Sequence, residues 1–298
     1  MSNRTTATSI VLVALAAVAC TGGGGSAAGG ATPAPTTAPS PSIDGLSHPT
    51  GPDEIVLRLD ESGGFVPPEF LAAHVPQFTL YGDGTVVFVQ STASVPPRED
   101  GIMTGQPVRT AKLTEEQVQS LLELAIRDGG LGSARAEYQN PLVADAATAV
   151  FTLNADGAAK TVSVVALGME DQEVNADTAI KKALAGLGNR LRDFDAGGTL
   201  QSAPYEAAAY RGVLQEQQGL QGVAIRDWPW TDLSPADFSM PSDHNVLPQG
   251  TATLTPDQAA ALGIDGFESG IASGVFLRDD AGKTYSFVLR PLLPDEDA

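Results

Sequence analysis

The residues whose types and spacing best suit chemistry lie in one short segment. Trp228 and Trp230 stand two positions apart in it, and Asp227 and Asp232 flank them. In an extended segment the two indoles would share one face and form the kind of stacking platform that sugars bind, with carboxylates beside it. The other interpretation is that both rings pack over the edge of a core, because tryptophan buries a large apolar area. The sequence leaves both open and favours packing.

Paired carboxylates are the form of catalysis that this composition allows. Glycoside hydrolysis needs only two acids placed across a bond. The chain contains 36 acidic residues, so the sequence singles out no pair. A serine triad is not indicated, because no G-x-S-x-G motif occurs in the folded part. The three histidines, His48, His74 and His244, are expected to lie at the surface or to be locally bonded rather than to act as bases.

Metal sites are not expected either. Structural zinc needs four cysteine or histidine ligands and catalytic zinc needs three protein ligands, and a chain with one cysteine and three histidines could supply them only by drawing on scattered carboxylates. The densest acidic run, residues 295–297, predicts a solvated C-terminal tail rather than a calcium site. We therefore assign no catalytic, cofactor-binding or metal-ligating residue, and no cofactor is expected.

The single cysteine, Cys20, is the other candidate for chemistry, because its thiol can carry a covalent modification. It follows an apolar run, residues 9–19, that suits a secretory signal but falls short of the ~20 residues of a membrane-spanning helix. The stretch Ala17, Val18, Ala19, Cys20 resembles the lipobox of bacterial lipoprotein precursors. That resemblance implies cleavage before Cys20 and a diacylglyceryl group on its thiol. The alternative is an ordinary signal peptide that leaves a free thiol.

A tether is expected to follow the anchor. Residues 20–50 are rich in Gly, Ser, Thr and Pro, and they carry no charge before Asp44. They cannot bury enough apolar surface to offset the entropy of ordering. A coil of this composition reaches on the order of 30–60 Å, so the domain would stand off the lipid.

The charge of the chain limits its partners. The formal net charge is −19, and removal of a leader that contains Arg4 leaves 16 basic and 36 acidic residues, or −20. Nucleic acid is therefore not expected as a partner, and anionic headgroups should repel the domain. The expected partners are the membrane, through lipid on Cys20, and an unidentified envelope component or protein ligand. The expected location is the extracytoplasmic face of the cell membrane.

Short-range patterns predict the strands. Alternation over residues 54–59 predicts a strand that ends at Gly63. Asp-Gly or related turns between β-rich runs predict three hairpins, over residues 78–89, 151–165 and 274–289. The sequence pattern Phe-Thr-Leu-x-x-Asp-Gly occurs twice, 73 residues apart, which leaves open a weak internal repeat.

Helices are predicted between these strands. Thr114 and Thr255 each begin a capping box, with a glutamine three residues later. Two further helices are predicted over residues 176–194 and 204–217. Capped helices among hairpins, without regular strand–helix alternation, predict an α+β fold with mainly antiparallel sheet and interspersed amphipathic helices.

Three segments follow from these patterns. They are a signal peptide (1–19), a disordered tether (20–50) and an α+β domain (51–298). Glycine punctuation near residue 197 suggests that the domain divides into two packed halves, 51–197 and 198–298.

Two parts of the domain, residues 79–86 and 113–122, resemble a hairpin and a helix of uncharacterised secreted or lipid-anchored bacterial proteins. The resemblance implies no activity. We expect a non-catalytic binding or interaction module. The alternatives are a glycosidase-like hydrolase of the cell envelope that uses paired carboxylates, and a structural or assembly role that an exposed apolar patch would support.

Overall fold

The structure, a computed structural model, describes residues 45–66, 71–91, 98–169, 176–239, 249–264 and 270–297. This part of the chain contains two mainly antiparallel β-sheets and three α-helices, which confirms the predicted α+β class. Cys20, the predicted signal peptide, most of the predicted tether and His244 lie outside the described residues. Among the helices that are described, none is both long and apolar enough to span a bilayer.

Fourteen strands are described, and they divide between the two sheets. In chain order they are β1 (Ile55–Gly63), β2 (Phe78–Tyr81), β3 (Thr85–Val89), β4 (Met103–Thr104), β5 (Val108–Lys112), β6 (Glu137–Tyr138), β7 (Ala147–Ala155), β8 (Ala158–Val165), β9 (Ser202–Pro204), β10 (Tyr210–Gln217), β11 (Arg226–Asp227), β12 (Gly250–Leu254), β13 (Ala272–Arg278) and β14 (Thr284–Pro291). The first sheet has the order β6-β8-β7-β1-β2-β3-β5-β9, and the second has the order β11-β13-β14-β10-β12, with β4 also paired to β13. The sheets thus exchange short strands across the predicted division near residue 197.

The three predicted hairpins are present as β2–β3, β7–β8 and β13–β14. In β7–β8 the two turn residues, Asp156 and Gly157, have φ of 53° and 71°. Two positive φ values at a two-residue turn match the twist of the flanking strands, which is why Asp-Gly is a strong hairpin signal.

Two of the three described helices begin where the capping signals predict. The helices are α1 (Glu115–Glu123), α2 (Thr178–Arg192) and α3 (Pro256–Ala260), and a π-helical turn, Leu124–Asp128, continues α1. Thr114 and Gln117 form a complete capping box before α1, and Thr255 and Gln258 form one before α3. Each box satisfies backbone N–H groups that the first helical turn would otherwise leave unpaired.

Three apolar clusters hold the elements together. The first lies between one face of the first sheet and the helices α1 and α2, with Leu122 and Leu184 from the helices. The second lies on the second sheet and includes Trp230 and Phe287. The third packs the opposite face of the first sheet against Leu293 and Ile271, which flank strands of the second sheet. The two sheets therefore share an apolar layer.

The predicted helix over residues 204–217 is wrong. Its second half is β10, a strand that pairs with β12 on one side and with β14 on the other. Leu, Glu and Gln favour a helix locally, but pairing on both sides outweighs that preference. Gly212 shows how closely β10 is packed, since a Cβ at this position would lie 2.6 Å from the Leu254 side chain.

The acidic C-terminal run is not the solvated tail that the sequence predicts. Asp295 accepts hydrogen bonds from Arg58 at 2.5 Å and from Tyr81 at 2.6 Å. Glu296 accepts from both terminal nitrogens of Arg290, at 2.8 and 2.6 Å. The prediction failed because the basic and phenolic partners of Asp295 are far away in sequence.

The last residues of the predicted tether also pack on the domain. The backbone of Leu46 exchanges two hydrogen bonds with the Gln119 side chain, at 2.8 and 2.9 Å. The carbonyl of Ser47 accepts from the Asp156 N–H at 2.6 Å. Residues 45–50 therefore belong to the folded part, which corrects the boundary placed at residue 51.

Candidate functional site

A groove of ≈ 730 Å³ lies between α1, the C-terminal end of α2 and the loop that follows α2. We call it the α1–α2 groove. Its floor consists of apolar side chains: Leu113, Leu121, Leu124, Phe194 and Leu200. A concavity of this size with an apolar floor and a few polar groups is the usual form of a ligand site.

One wall of the groove is the exposed side of α1. Leu122 is fully buried in the first core, and this fixes the helix so that Glu116 and Ser120 face the groove. The π-helical turn widens the helix from Leu124 onward, and the Gly129 N–H closes it on the Leu124 carbonyl at 2.7 Å. Single π-helical turns of this kind occur often at functional sites, because they redirect side chains out of the regular helical spacing.

The opposite wall is the loop after α2, and Asp195 fixes its shape. Asp195 has φ of 60°, a conformation that costs energy for most residues but that Asp and Asn tolerate. Its carboxylate accepts the Leu200 N–H at 2.8 Å, and its carbonyl accepts the Gly198 N–H at 2.8 Å. A strained residue held by its own hydrogen bonds is a feature that concentrates at binding sites.

Phe194 joins this loop to the core beneath it. Its ring lies 4.7 Å from the ring of Phe78 and 5.3 Å from the ring of Phe88, measured between centroids. Tilted and edge-to-face aromatic pairs of this separation are favourable beyond the area that they bury. The floor of the groove therefore rests on the first sheet.

The rim of the groove is polar and carries both signs of charge. Glu116, Arg190 and Asp193 line it and are exposed, with Gln117 and Asn189 between them. Such a rim offers hydrogen bonds and ionic contacts, while the floor offers apolar surface. The arrangement suits a ligand that has an apolar part and a polar, neutral or positively charged part.

The predicted tryptophan platform has a different geometry from the one expected. Trp228 and Trp230 meet edge to face, with centroids 5.1 Å apart and planes at 78°, so the two indoles do not present one common face. Each indole N–H donates to a backbone carbonyl, that of Leu233 at 2.6 Å and that of Gln258 at 2.7 Å. Trp230 is buried in the second core and Trp228 packs against it.

The two acids of that segment stand outside this packing. Asp227 and Asp232 are exposed, and Asp232 accepts a hydrogen bond from Gln258 at 2.9 Å. The indoles therefore have a packing role, as the second interpretation of the sequence expected. A ligand-binding role for these four residues stays a prediction.

The histidines of the described part are in local contacts. His48 lies 3.2 Å from Glu115, and His74 lies 2.5 Å from Asp60. Neither histidine lines the α1–α2 groove. Within the described ranges, no group of three or more His, Cys, Asp or Glu side chains is placed to hold a metal ion.

Comparisons with known proteins do not assign this chain to a family. No protein family, no curated protein and no solved structure matches the chain. The argument about function therefore depends on the site itself.

The sequence did not single out the groove. The clearest local signal in this region of the sequence is the pair Gly197 and Gly198, which we interpreted as the boundary between two halves of the domain. Gly197 instead lines the groove. The floor residues come from α1, the π-helical turn that continues it, the residue before the α1 cap and the loop after α2. Their meeting depends on how the two helices pack on the sheet.

Proposed function

We propose that this chain is a bacterial lipoprotein, anchored through Cys20 on the extracytoplasmic face of the membrane, whose domain binds a ligand in the α1–α2 groove without converting it. The observation that carries the binding role is the groove itself, with its apolar floor and polar rim. The anchor is carried by the sequence around Cys20 and by the tether-like composition that follows it.

The displaced carboxyl pKa values among the described residues do not single out a catalytic acid. Six carboxyl groups among the described residues have clearly displaced pKa values, namely Asp83, Asp100, Glu115, Asp237, Asp295 and Glu296. All six pKa values are lowered, because hydrogen bonds to the carboxylate outweigh the opposing effect of burial. A glycosidase needs an acid whose pKa is raised, so that it holds a proton near neutral pH.

The ligand class follows from the groove and the overall charge. Two exposed carboxylates, Glu116 and Asp193, and one guanidinium, Arg190, line the rim, and the chain as a whole is strongly acidic. A long-range negative field disfavours anionic ligands. We infer that the groove takes a small amphipathic molecule or side chain whose polar part is neutral or cationic.

The groove is tested by filling it. In Ser120→Trp an indole would occupy the space between the walls, whereas Glu123→Trp places the same indole on α1 outside the groove. Binding is measured with Nile red, an uncharged dye whose fluorescence rises in apolar sites. We expect the dye to bind the native chain and the Glu123 variant equally and the Ser120 variant at least about tenfold more weakly, a loss of about 1.4 kcal/mol. Equal binding by all three proteins would overturn the assignment of the groove.

The anchor is tested separately by the intact mass of the mature protein recovered from bacterial membranes, next to Cys20→Ser. We expect an N-terminus at Cys20 that carries the mass of a diacylglyceryl group, and release of the variant from the membrane. An unmodified chain would contradict the lipoprotein assignment and leave the groove proposal untouched.

A further inference from the structure

Three charged side chains at the rim of the α1–α2 groove are free to bind a ligand. Glu116 belongs to the first turn of α1, Arg190 to the last turn of α2, and Asp193 directly follows α2. All three side chains are exposed, and within the described residues none of them makes a hydrogen bond or an ion pair. The groove therefore presents one cationic and two anionic groups that the described part of the chain does not neutralise.

An arginine without a partner is unusual in this acidic protein. Among the described arginines, only Arg190 and Arg278 have a side chain that makes no hydrogen bond, ion pair or ring contact. Arg192, in the same turn as Arg190, binds both carboxylate oxygens of Glu61 at 2.6 and 2.5 Å. This contact ties the end of α2 to β1, while the Arg190 guanidinium stays available at the groove. A free guanidinium, with its planar fork of donors, suits the carboxylate of a ligand.

Two neutral side chains of the rim offer donors only. Gln117 uses its side-chain oxygen to accept the Thr114 N–H at 2.8 Å, and Asn189 uses its own to accept from Arg192 at 2.7 Å. Neither side-chain NH2 group makes a hydrogen bond to the described part of the chain. An amide whose oxygen is already occupied has its N–H donors left for a ligand. The rim therefore favours a ligand that carries carbonyl oxygens as well as charged groups.

The floor of the groove suits more than one apolar side chain. Leu124, Phe194 and Leu200 are only half-buried, so each still offers apolar surface to a ligand. The volume of ≈ 730 Å³ lies in the range of pockets that take drug-sized molecules. A molecule of two or three residues covers such a floor better than a single amino acid does.

A ligand that carries both charges fits this rim better than a singly charged one. A purely cationic ligand would cover Arg190 without pairing it, and a desolvated unpaired charge is costly. A purely anionic ligand would do the same to Glu116 and Asp193, and the net charge of −19 would repel it. A zwitterion has no net charge and can pair with both signs.

We propose that the α1–α2 groove binds a short apolar peptide with free termini, whose carboxylate pairs with Arg190 and whose amino terminus pairs with Glu116 or Asp193. The peptide carbonyls accept hydrogen bonds from Gln117 and Asn189, and the apolar side chains lie on the floor. This assignment rests on the proposed role of the groove as a ligand site and names the ligand class of that site.

The ligand class is tested with chemically blocked forms of one peptide. Trileucine, its N-acetyl form, its C-terminal amide and the doubly blocked form are titrated against the native chain, and displacement of Nile red reports binding. Salt at about 0.15 M, where the Debye length is about 8 Å, limits the effect of the overall charge. We expect trileucine to bind at least about fivefold more tightly than either singly blocked form, because each block removes one charge-assisted contact. The doubly blocked form should bind most weakly.

Variants of the rim separate a contact in the groove from a general effect of charge. In Arg190→Gln, trileucine and its amide should bind equally, because the group that distinguishes them is gone. Arg278→Gln removes the other unpaired arginine of the described part, which lies outside the groove, and should keep the native preference. Glu116→Gln/Asp193→Asn should lose the preference for a free amino terminus. Each result is a ratio of two affinities on one protein, so a smaller folded fraction cannot imitate it.

Several outcomes would overturn the peptide assignment. Equal affinities of the native chain for all four forms would show that the termini make no contact. Tighter binding of the amide than of trileucine would show that the ligand senses only the net charge of the protein. An unchanged preference in Arg190→Gln would remove Arg190 from the site. Dye binding without displacement by any form would reject the peptide and keep the groove, whereas a native chain that binds no dye would reject the groove itself.

Discussion

Asp295 accepts a hydrogen bond from Arg58 at 2.5 Å across a separation of 237 residues. Arg58 lies in the middle of the first sheet, whereas Asp295 lies in the segment that leaves the second sheet after β14. Both side chains are only 15 % exposed, and Tyr81 donates to the same carboxylate oxygen. The C-terminal segment is therefore bound across the first sheet by a partly buried ionic contact. It adds a polar contact to the apolar layer that the two sheets share.

We predict that Asp295→Asn destabilises the protein by about 2 kcal/mol, because Arg58 would lose its ionised partner in a largely desolvated place. The matched control is Asp297→Asn, which removes an acid two residues away whose side chain is exposed. Urea unfolding followed by circular dichroism measures both. Equal free energies of unfolding for the two variants would contradict a structural role for the Asp295 contact.

The same contacts predict a loss of stability in acid. Burial opposes ionisation of Asp295 and Glu296, but hydrogen bonds from Arg58 and Tyr81 to the first and from Arg290 to the second lower both pKa values below their ordinary 3.8 and 4.5. A lowered carboxyl pKa contributes stability that is complete above the ordinary value and is lost as the pH falls through the folded-state value. The free energy of unfolding should thus fall as the pH drops below about 5.

This acid dependence is checked by urea unfolding at several pH values, with the double variant Asp295→Asn/Glu296→Gln alongside. We expect the variant to show a shallower fall than the native chain, since its two replaced groups no longer titrate. Parallel curves would mean that other carboxylates account for the acid sensitivity.

The parts of the fold that were predicted from sequence depend on neighbouring residues. The Asp156-Gly157 turn and the Thr114 capping box succeed because a turn or a cap is decided within about four residues. The strand β10 was missed because its pairing with β12 and β14 involves residues far away in the chain. The partners of Asp295 were missed for the same reason.

The candidate site follows the same division. The α1 wall of the groove was predicted as a capped helix with one apolar face, and it is present. The groove itself depends on the approach of the loop after α2, which no local pattern reports. The platform of Trp228 and Trp230 was predicted from a local spacing, but the geometry of the rings is set by Phe238, Tyr285 and Phe287 around them.

The groove wall formed by the loop after α2 depends on Asp195, which accepts a hydrogen bond and adopts a positive φ. These two roles can be separated by substitution. Asp195→Ala removes the acceptor for the Leu200 N–H and places alanine at φ of 60°, so we expect a loss of about 1–2 kcal/mol and weaker Nile red binding. Asp195→Asn keeps an acceptor and a residue that tolerates this φ, so it should resemble the native chain. Asp195→Gly keeps the φ without the acceptor and should fall between them. If the alanine variant bound the dye as the native chain does, the loop would not shape the groove.

Two glycines should respond in opposite directions to the same substitution. A Cβ at Gly212 would lie 2.6 Å from a Leu254 methyl and 3.0 Å from the Phe287 ring in the second core, where neither side chain has room to move. We expect Gly212→Ala to cost about 1–3 kcal/mol by overpacking. Gly186 lies in the exposed part of α2, and a methyl group added there would meet no atom within 4 Å, so Gly186→Ala should stabilise the helix by up to about 1 kcal/mol. Thermal unfolding of both variants decides the matter, because the midpoint should fall for the first and rise for the second. A rise for both would mean that β10 is not held between β12 and β14 as described.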